Sequence, residues 1–293
     1  MIAVIIVGSF AVVGVFFLFM MIGLMSGGGD LQFSGLGGSV AVVEMFGVMD
    51  EYSGRSVIRQ LERWEDNNSI KAIVIHVESP GGGVSISQEL YETILGVRDS
   101  KPVVVSMGAV AASGGYYIAC AADRVMANPG TLTGSIGTVM SFHTYEGLMD
   151  KLGIGMETIK SGELKDVGTY ARPMTKREEL MLRSVIMDGY EQFVEVVAEG
   201  RDMDKEDVYP LADGSIFTGS QAYNLGLVDT LGGLRDAIDL AADLAEMEGE
   251  PNVIRPRRRD DVSLFDLLGG VLGRLEKQVQ GPQTGPSLMY LYQ

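Results

Sequence analysis

One cysteine, Cys120, two histidines, His76 and His143, and one tryptophan in 293 residues remove several options at the outset. A lone cysteine closes no intramolecular disulfide, so cysteine usage neither demands nor excludes an oxidising compartment. Its neighbours Ile118, Ala119, Ala121 and Ala122 describe a buried, inert thiol rather than a reactive one. So few His and Cys leave no metal-ligand spacing, and neither a metal nor a cofactor is expected. Basic residues are also scarce. The 23 Lys and Arg stand against 39 Asp and Glu for a formal charge of -16, which argues against the basic face that nucleic acid requires.

Charge is missing altogether from Met1 to Gly29, and Ile2 to Met25 is almost wholly apolar. As helix that run extends about 36 Å, enough to cross a hydrocarbon core of roughly 30 Å. A cleaved signal peptide is the rival reading, but there is no basic start, the apolar run is long, and no small-x-small cleavage site stands out. Residues 1–25 are therefore expected to be a retained single-pass anchor. The first basic residue is Arg55, and Asp30, Glu44, Asp50 and Glu51 follow the span, so the rest of the chain is expected outside the cytoplasm. Residues 26–38, rich in glycine, read as a spacer.

A catalytic domain is expected over residues 39–250. Val40 to Val48, Ala72 to Val77 and Val103 to Met107 are short β-branched runs, and Arg55 to Asn67 and Ser85 to Arg98 between them have helical spacing. That alternation predicts an α/β layered fold with buried parallel strands. Lys176 to Gly200 spaces Leu180, Val185, Tyr190, Phe193 and Val197 as an amphipathic helix whose stripe reads as core. Helices are expected at Ser220 to Leu225 and Leu234 to Glu248. A change of character at Pro251 and the basic run Arg255 to Arg259 opens a tail, residues 251–293. Within it Leu264, Leu267, Leu268, Val271, Leu272 and Leu275 fit an amphipathic helix, and Gly285 to Gln293 is apolar and aromatic, unlike a disordered end.

Ser79-Pro80-Gly81-Gly82-Gly83 lies between a strand and a helical pattern, where unshielded backbone N–H groups can hold an oxyanion; alone, it also reads as a plain glycine loop. Ser113, in Ala111-Ala112-Ser113-Gly114-Gly115, follows the third strand and opens a small-residue helix. Alone, it reads as an N-cap. A serine nucleophile needs a base, but His76 lies inside a buried apolar strand and His143 has no aspartate placed to orient it, so both read as structural histidines. Lysine can serve if burial lowers its pKa from about 10.4 toward 7 or 8, a shift of about three units that costs about 4 kcal/mol. Lys165, in Lys160-Ser161-Gly162-Glu163-Leu164-Lys165-Asp166, is a candidate, although spacing does not separate it from Lys160.

Four ordered motifs, residues 79–83, Met107 to Ala119, Ala127 to Gly137 and Ser161 to Gly168, resemble the signal peptide peptidase A family of bacteria and archaea over about Val40 to Glu248. The resemblance implies a Clp protease/crotonase-like fold with Ser113 as nucleophile and Lys165 as base. It also implies that Ser135 orients the lysine amine, and that N–H groups of Gly81 or Gly82 and of Gly114 bind the oxyanion. It further implies a ring-shaped homo-oligomer whose dyads are shared between subunits, acting on hydrophobic peptides such as cleaved signal peptides at the membrane. Three rivals stand beside it. A stomatin-cleaving protease would use the same dyad, a crotonase-type acyl-CoA enzyme would need no serine nucleophile, and a catalytically dead membrane scaffold would keep only the fold.

Overall fold

The structure, a computed structural model, describes residues 38–255 and the backbone of Met289–Leu291. The expected membrane segment over residues 1–25, nearly all of the spacer and the expected helix around Leu264 to Leu275 lie outside the described residues. Among the described residues no helix is long and apolar enough to cross a membrane.

The β-branched runs form parallel strands β1 (Ser39–Phe46), β2 (Ile70–Ser79) and β4 (Val103–Ala112), in register with Val42 beside Val74 and Ile75 beside Val105. Strand β5 (Arg124–Ala127) pairs with the first half of β4 and β6 (Leu132–Gly134) with its end, so β4 is shared between two parallel neighbours. At the margins β7 (Ile216–Thr218) runs antiparallel to β6, β8 (Thr230–Leu231) follows β5, and β9 (Asn252–Ile254) flanks β1. Both faces of the sheet are covered, which is why its strands are continuously apolar rather than alternating. Val43, Ile75 and Val105 face Leu61 of α1 (Glu51–Glu65), Ile94 of α2 (Val84–Arg98) and Phe193 of α5 (Lys176–Arg201). Val42, Val74 and Val104 face Ala237 and Ala241 of α8 (Leu234–Leu244).

Helix α5 begins with a capping box in which Thr175 and Glu178 satisfy each other's backbone N–H groups. Its far end is anchored by Arg201, whose guanidinium takes both oxygens of Asp229 at 2.7 and 3.0 Å. Between β6 and α5 the chain forms an arm containing α4 (Glu146–Leu152) and a short 3-10 turn, Glu163–Asp166. Helices α6 (Lys205–Val208) and α7 (Gly219–Asn224) complete the unit.

Three sequence expectations need correction. The stripe on α5 is core only in its second half: Phe193 and Val197 are fully buried, whereas Leu180 and Val185 are 56% and 43% exposed. Helical spacing shows which residues share a face but not how far the covering layer reaches. The last helix stops at Leu244 rather than Glu248, with Glu246 at φ 53. Strand β4 runs five residues past Met107, because Val110, Ala111 and Ala112 are held by β6 across the sheet and not by their own strand propensity.

Candidate active site

The extension of β4 determines where Ser113 stands. Ala112 pairs with Gly134, and beyond that pair the Ser113 N–H donates to the Gly134 carbonyl at 2.7 Å. The chain then turns directly into helix α3 (Gly114–Ala119), whose first internal bond runs from Tyr117 N–H to the Ser113 carbonyl at 2.8 Å. To make this turn Ser113 adopts φ 54 and ψ -118, a region that side chains other than glycine avoid. Its Oγ is buried without a hydrogen-bond partner, and it does not cap the helix it precedes. The N-cap explanation therefore lacks its defining bond. Ser135, just past the end of β6, also has a positive φ, 51, with its N–H donated to the Ser215 carbonyl at 2.7 Å.

The glycine turn lies against the same point. Gly81, Gly82 and Gly83 form the short strand β3, with Gly81 at φ 101. A Cβ on Gly82 would lie 2.0 Å from the Met49 carbonyl oxygen, so only glycine fits between the chains there. A Cβ on Gly114 would lie 2.7 Å from Ser87 Oγ and 3.2 Å from both Gly81 Cα and Gly82 N. Gly114 N–H is in the first turn of α3, where backbone donors have no partner within the helix. The fold thus gathers Ser113, Gly114, Gly81 and Gly82 at one place, with Ser135 on the adjoining strand.

Lys165 is not brought there. It sits in the 3-10 turn of the arm with an exposed side chain, and its amine hydrogen-bonds to neither Ser113 nor Ser135. Around it runs a charged network that sequence reasoning missed. Asp166 Oδ1 accepts from Lys160 Nζ at 2.5 Å and from Arg172 at 2.9 Å, and Arg172 also forks onto Glu178 at 2.6 and 2.9 Å. The Lys160 bond, then Arg172, holds the Asp166 carboxyl below the usual carboxylate range, and Arg172 foremost pulls Glu178 down to about 2. The Thr175-Lys176-Arg177-Glu178 capping pattern was the available signal for this corner.

Neither histidine hydrogen-bonds to Ser113 Oγ, which has no partner. His76 makes an edge contact with Phe46 at 5.4 Å, and exposed His143 stacks on Tyr145 at 6.2 Å. Cys120 is fully buried, and desolvation pushes its thiol up to about 12. Among the described residues no cluster of three or more His, Cys, Asp or Glu side chains could hold a metal ion.

Comparison with known proteins adds independent findings. Residues 96–248 match the model of Peptidase family S49, and residues 39–132 match that of Clp protease. A Synechocystis sp. protein named as a protease is 40% identical over 209 residues, covering 71% of this chain and 75% of its own length. An Enterococcus faecium protein named as a signal peptide peptidase SppA is 38% identical over 191 residues, 65% of this chain and 56% of its own. Protease 4 of Haemophilus influenzae is 34% identical over 241 residues, 78% of this chain but 39% of its own. The matched region is thus only part of the last two relatives.

Proposed function

The chain belongs to peptidase family S49 and is a serine peptidase of the SppA type, and from that premise we propose that it is a membrane-anchored endopeptidase that degrades cleaved signal peptides and similar hydrophobic segments with a Ser113–Lys165 dyad. The observation that carries the reading is the Ser113 hydroxyl, buried, without a partner, and held on a strained turn beside glycine amides. Capping does not account for a buried, unpartnered hydroxyl at a strained position, whereas a nucleophile presented at the end of a strand does.

In this reading Ser113 Oγ attacks the scissile carbonyl while neutral Lys165 takes its proton. The N–H groups of Gly82 and of Gly114 receive the developing oxyanion, because the Gly81 N–H is already donated to Ser79 Oγ at 3.1 Å. The lysine then protonates the leaving amine, and water resolves the acyl-enzyme by the reverse proton path. Ser135 Oγ orients the lysine. Lys160 suits the base role poorly, because its ammonium is already engaged by the Asp166 carboxylate at 2.5 Å and the Glu163 carbonyl at 2.9 Å.

The separation of Lys165 from Ser113 within one chain supports a ring in which the arm of one subunit completes the site of the next. The arm and the start of α5 carry the apolar surface such docking needs. Leu148, Leu152, Ile154 and Ile159 are exposed, and Met140, Phe142, Met174, Leu182, Ile186 and Met187 line a largely apolar groove bordered by Glu179 and Arg183. Apolar residues 1–25 supply the anchor, with residues 26–38 as spacer, 39–250 as catalytic domain and 251–293 as tail.

The test uses the full chain in detergent and an apolar fluorogenic peptide. Ser113→Ala abolishes turnover, and Lys165→Ala lowers kcat by about 10²–10⁴. Lys165→Arg does not rescue it, because a guanidinium stays charged. Reassembling equal amounts of Ser113→Ala and Lys165→Ala subunits restores about a quarter of the sites if neighbours in a closed ring share dyads at random. Full activity in Lys165→Ala would move the base elsewhere, and no recovery in demonstrably mixed assemblies would put both groups in one subunit.

A further inference from the structure

The 3-10 turn that carries Lys165 is not held by burial. None of Glu163, Leu164, Lys165 and Asp166 is buried, and helix α4 of the same arm buries no residue either. The bonds inside this segment are local: the Lys165 N–H donates to the Gly162 carbonyl at 3.1 Å, and Lys160 Nζ donates to the Glu163 carbonyl at 2.9 Å as well as to Asp166. Two bridges lead from the turn to the start of α5, one from each end of the turn. Glu163 pairs with Arg177, but these side chains are 75% and 71% exposed, and an ion pair so open to water fixes little.

Asp166, the other end, is held more firmly. Its Oδ1 accepts from Arg172 at 2.9 Å, and the same guanidinium forks onto Glu178 at 2.6 and 2.9 Å. The Asp166 side chain is 12% exposed and that of Glu178 only 2%. Glu178 is itself fixed, because its Oε2 also accepts the Thr175 N–H at 2.8 Å within the capping box. The helix it opens is buried in the core at its far end through Phe193 and Val197. A planar guanidinium offers donors in fixed directions and can serve two carboxylates at once, which the point charge of a lysine does not reproduce. Rigid contacts thus run from the core along α5 to Glu178, Arg172 and Asp166, the residue next to Lys165.

We propose that Arg172 is a positioning residue of the peptidase: by tying Asp166 to Glu178 it fixes the turn bearing Lys165 to α5, so that the lysine amine is presented to Ser113 in a set direction. The inference rests on the reading of Lys165 as general base and adds the residue that aims it. A general base must come within hydrogen-bond reach of the hydroxyl it deprotonates. Lysine carries its amine on a flexible four-carbon stem, so a turn that also moved would spread the amine over many positions. Misplacement of reacting groups by about 1 Å can cost on the order of 10²-fold in rate.

The experiment follows hydrolysis of an apolar fluorogenic peptide by the full chain in detergent, for Arg172→Gln, Arg172→Lys and Asp166→Ala, each alone and combined with Lys165→Ala. Asp166→Ala releases the turn and leaves Arg172 on Glu178, so it carries the test where Arg172→Gln, which strips Glu178 of its partner, fails to fold. Arg172→Gln and Asp166→Ala should each lower kcat about 10–100-fold with KM unchanged, and Arg172→Lys should recover only a small part of the loss. In the Lys165→Ala background the same substitutions should leave the residual rate as it is, because no amine remains to be aimed, whereas a merely structural role would lower it again. Amide hydrogen exchange over residues 163–168 should speed up in Arg172→Gln and in Asp166→Ala. Unchanged kcat in folded variants, or an equal loss with and without Lys165, would overturn the proposal. Full activity in Lys165→Ala would instead reject the base reading, while the exchange measurement, which needs no catalysis, would still decide whether Arg172 holds the turn.

Discussion

Replacing Ser113 should stabilise the protein while abolishing its activity. The wild-type hydroxyl is buried with no partner, and a polar group left in that state costs about 1–3 kcal/mol, which Ser113→Ala recovers. Alanine keeps the strain of φ 54, because any Cβ resists that conformation. Ser113→Gly removes both costs: releasing the backbone contributes about 1–3 kcal/mol, and the greater freedom of the unfolded chain returns about 0.5–1 kcal/mol. The expected gains are therefore about 1–3 kcal/mol for alanine and roughly 1–5 kcal/mol for glycine. In a domain of this size each kcal/mol moves the melting temperature by about 2–4 °C. Differential scanning fluorimetry at one protein concentration measures the shift, with peptide hydrolysis followed on the same samples. If Ser113 were an ordinary N-cap, alanine would instead lose about 0.5–2 kcal/mol. A lower melting temperature for Ser113→Ala, with any activity kept, would refute the argument that this turn stores strain for chemistry.

Other consequences follow from particular contacts. Gly200→Ala places a Cβ 2.3 Å from the Cys120 carbonyl oxygen, so it should lose about 1–3 kcal/mol by overpacking, whereas Gly147→Ala meets nothing within 4 Å and should be neutral or slightly stabilising; thermal melts that fail to separate the two would count against the packing account. Glu178 is depressed to about 2, chiefly by Arg172, so the stability it contributes is complete above the ordinary glutamate value near 4.5 and is lost as pH falls toward 2. Melting temperature should accordingly fall more steeply between pH 5 and pH 2 in wild type than in Glu178→Gln, and parallel curves would exclude this carboxylate as a source of acid sensitivity. Cys120, fully buried with its thiol pushed up to about 12, should react with a disulfide reagent only after unfolding; rapid stoichiometric labelling of the folded protein would show that α3 opens readily.

Much of this arrangement was legible in the residues themselves, because the signals were local. Valine and isoleucine runs specified β1, β2 and the first half of β4, and helical spacing specified α1, α2 and α5. Glycines at 81, 82 and 114 marked places where one backbone must approach another. Family motifs pointed to Ser113 among all the serines. Other features depend on partners distant in the chain and leave no local trace. The last residues of β4 are strand because β6 lies beside them, and the strain at Ser113 exists because those strands carry it into a turn that only tertiary contacts enforce. Leu180 has the same helical spacing as Val197 yet is exposed, since burial depends on which layer extends over it. The pairing of residues 289–291 with 81–83 joins segments more than two hundred residues apart, and Lys165 lies exposed in a 3-10 turn with no hydrogen bond to the serine it is proposed to serve. Residue type and spacing determined which groups could do the chemistry; long-range packing decided which of them meet, because contact between distant segments is set by the whole core and not by either segment alone.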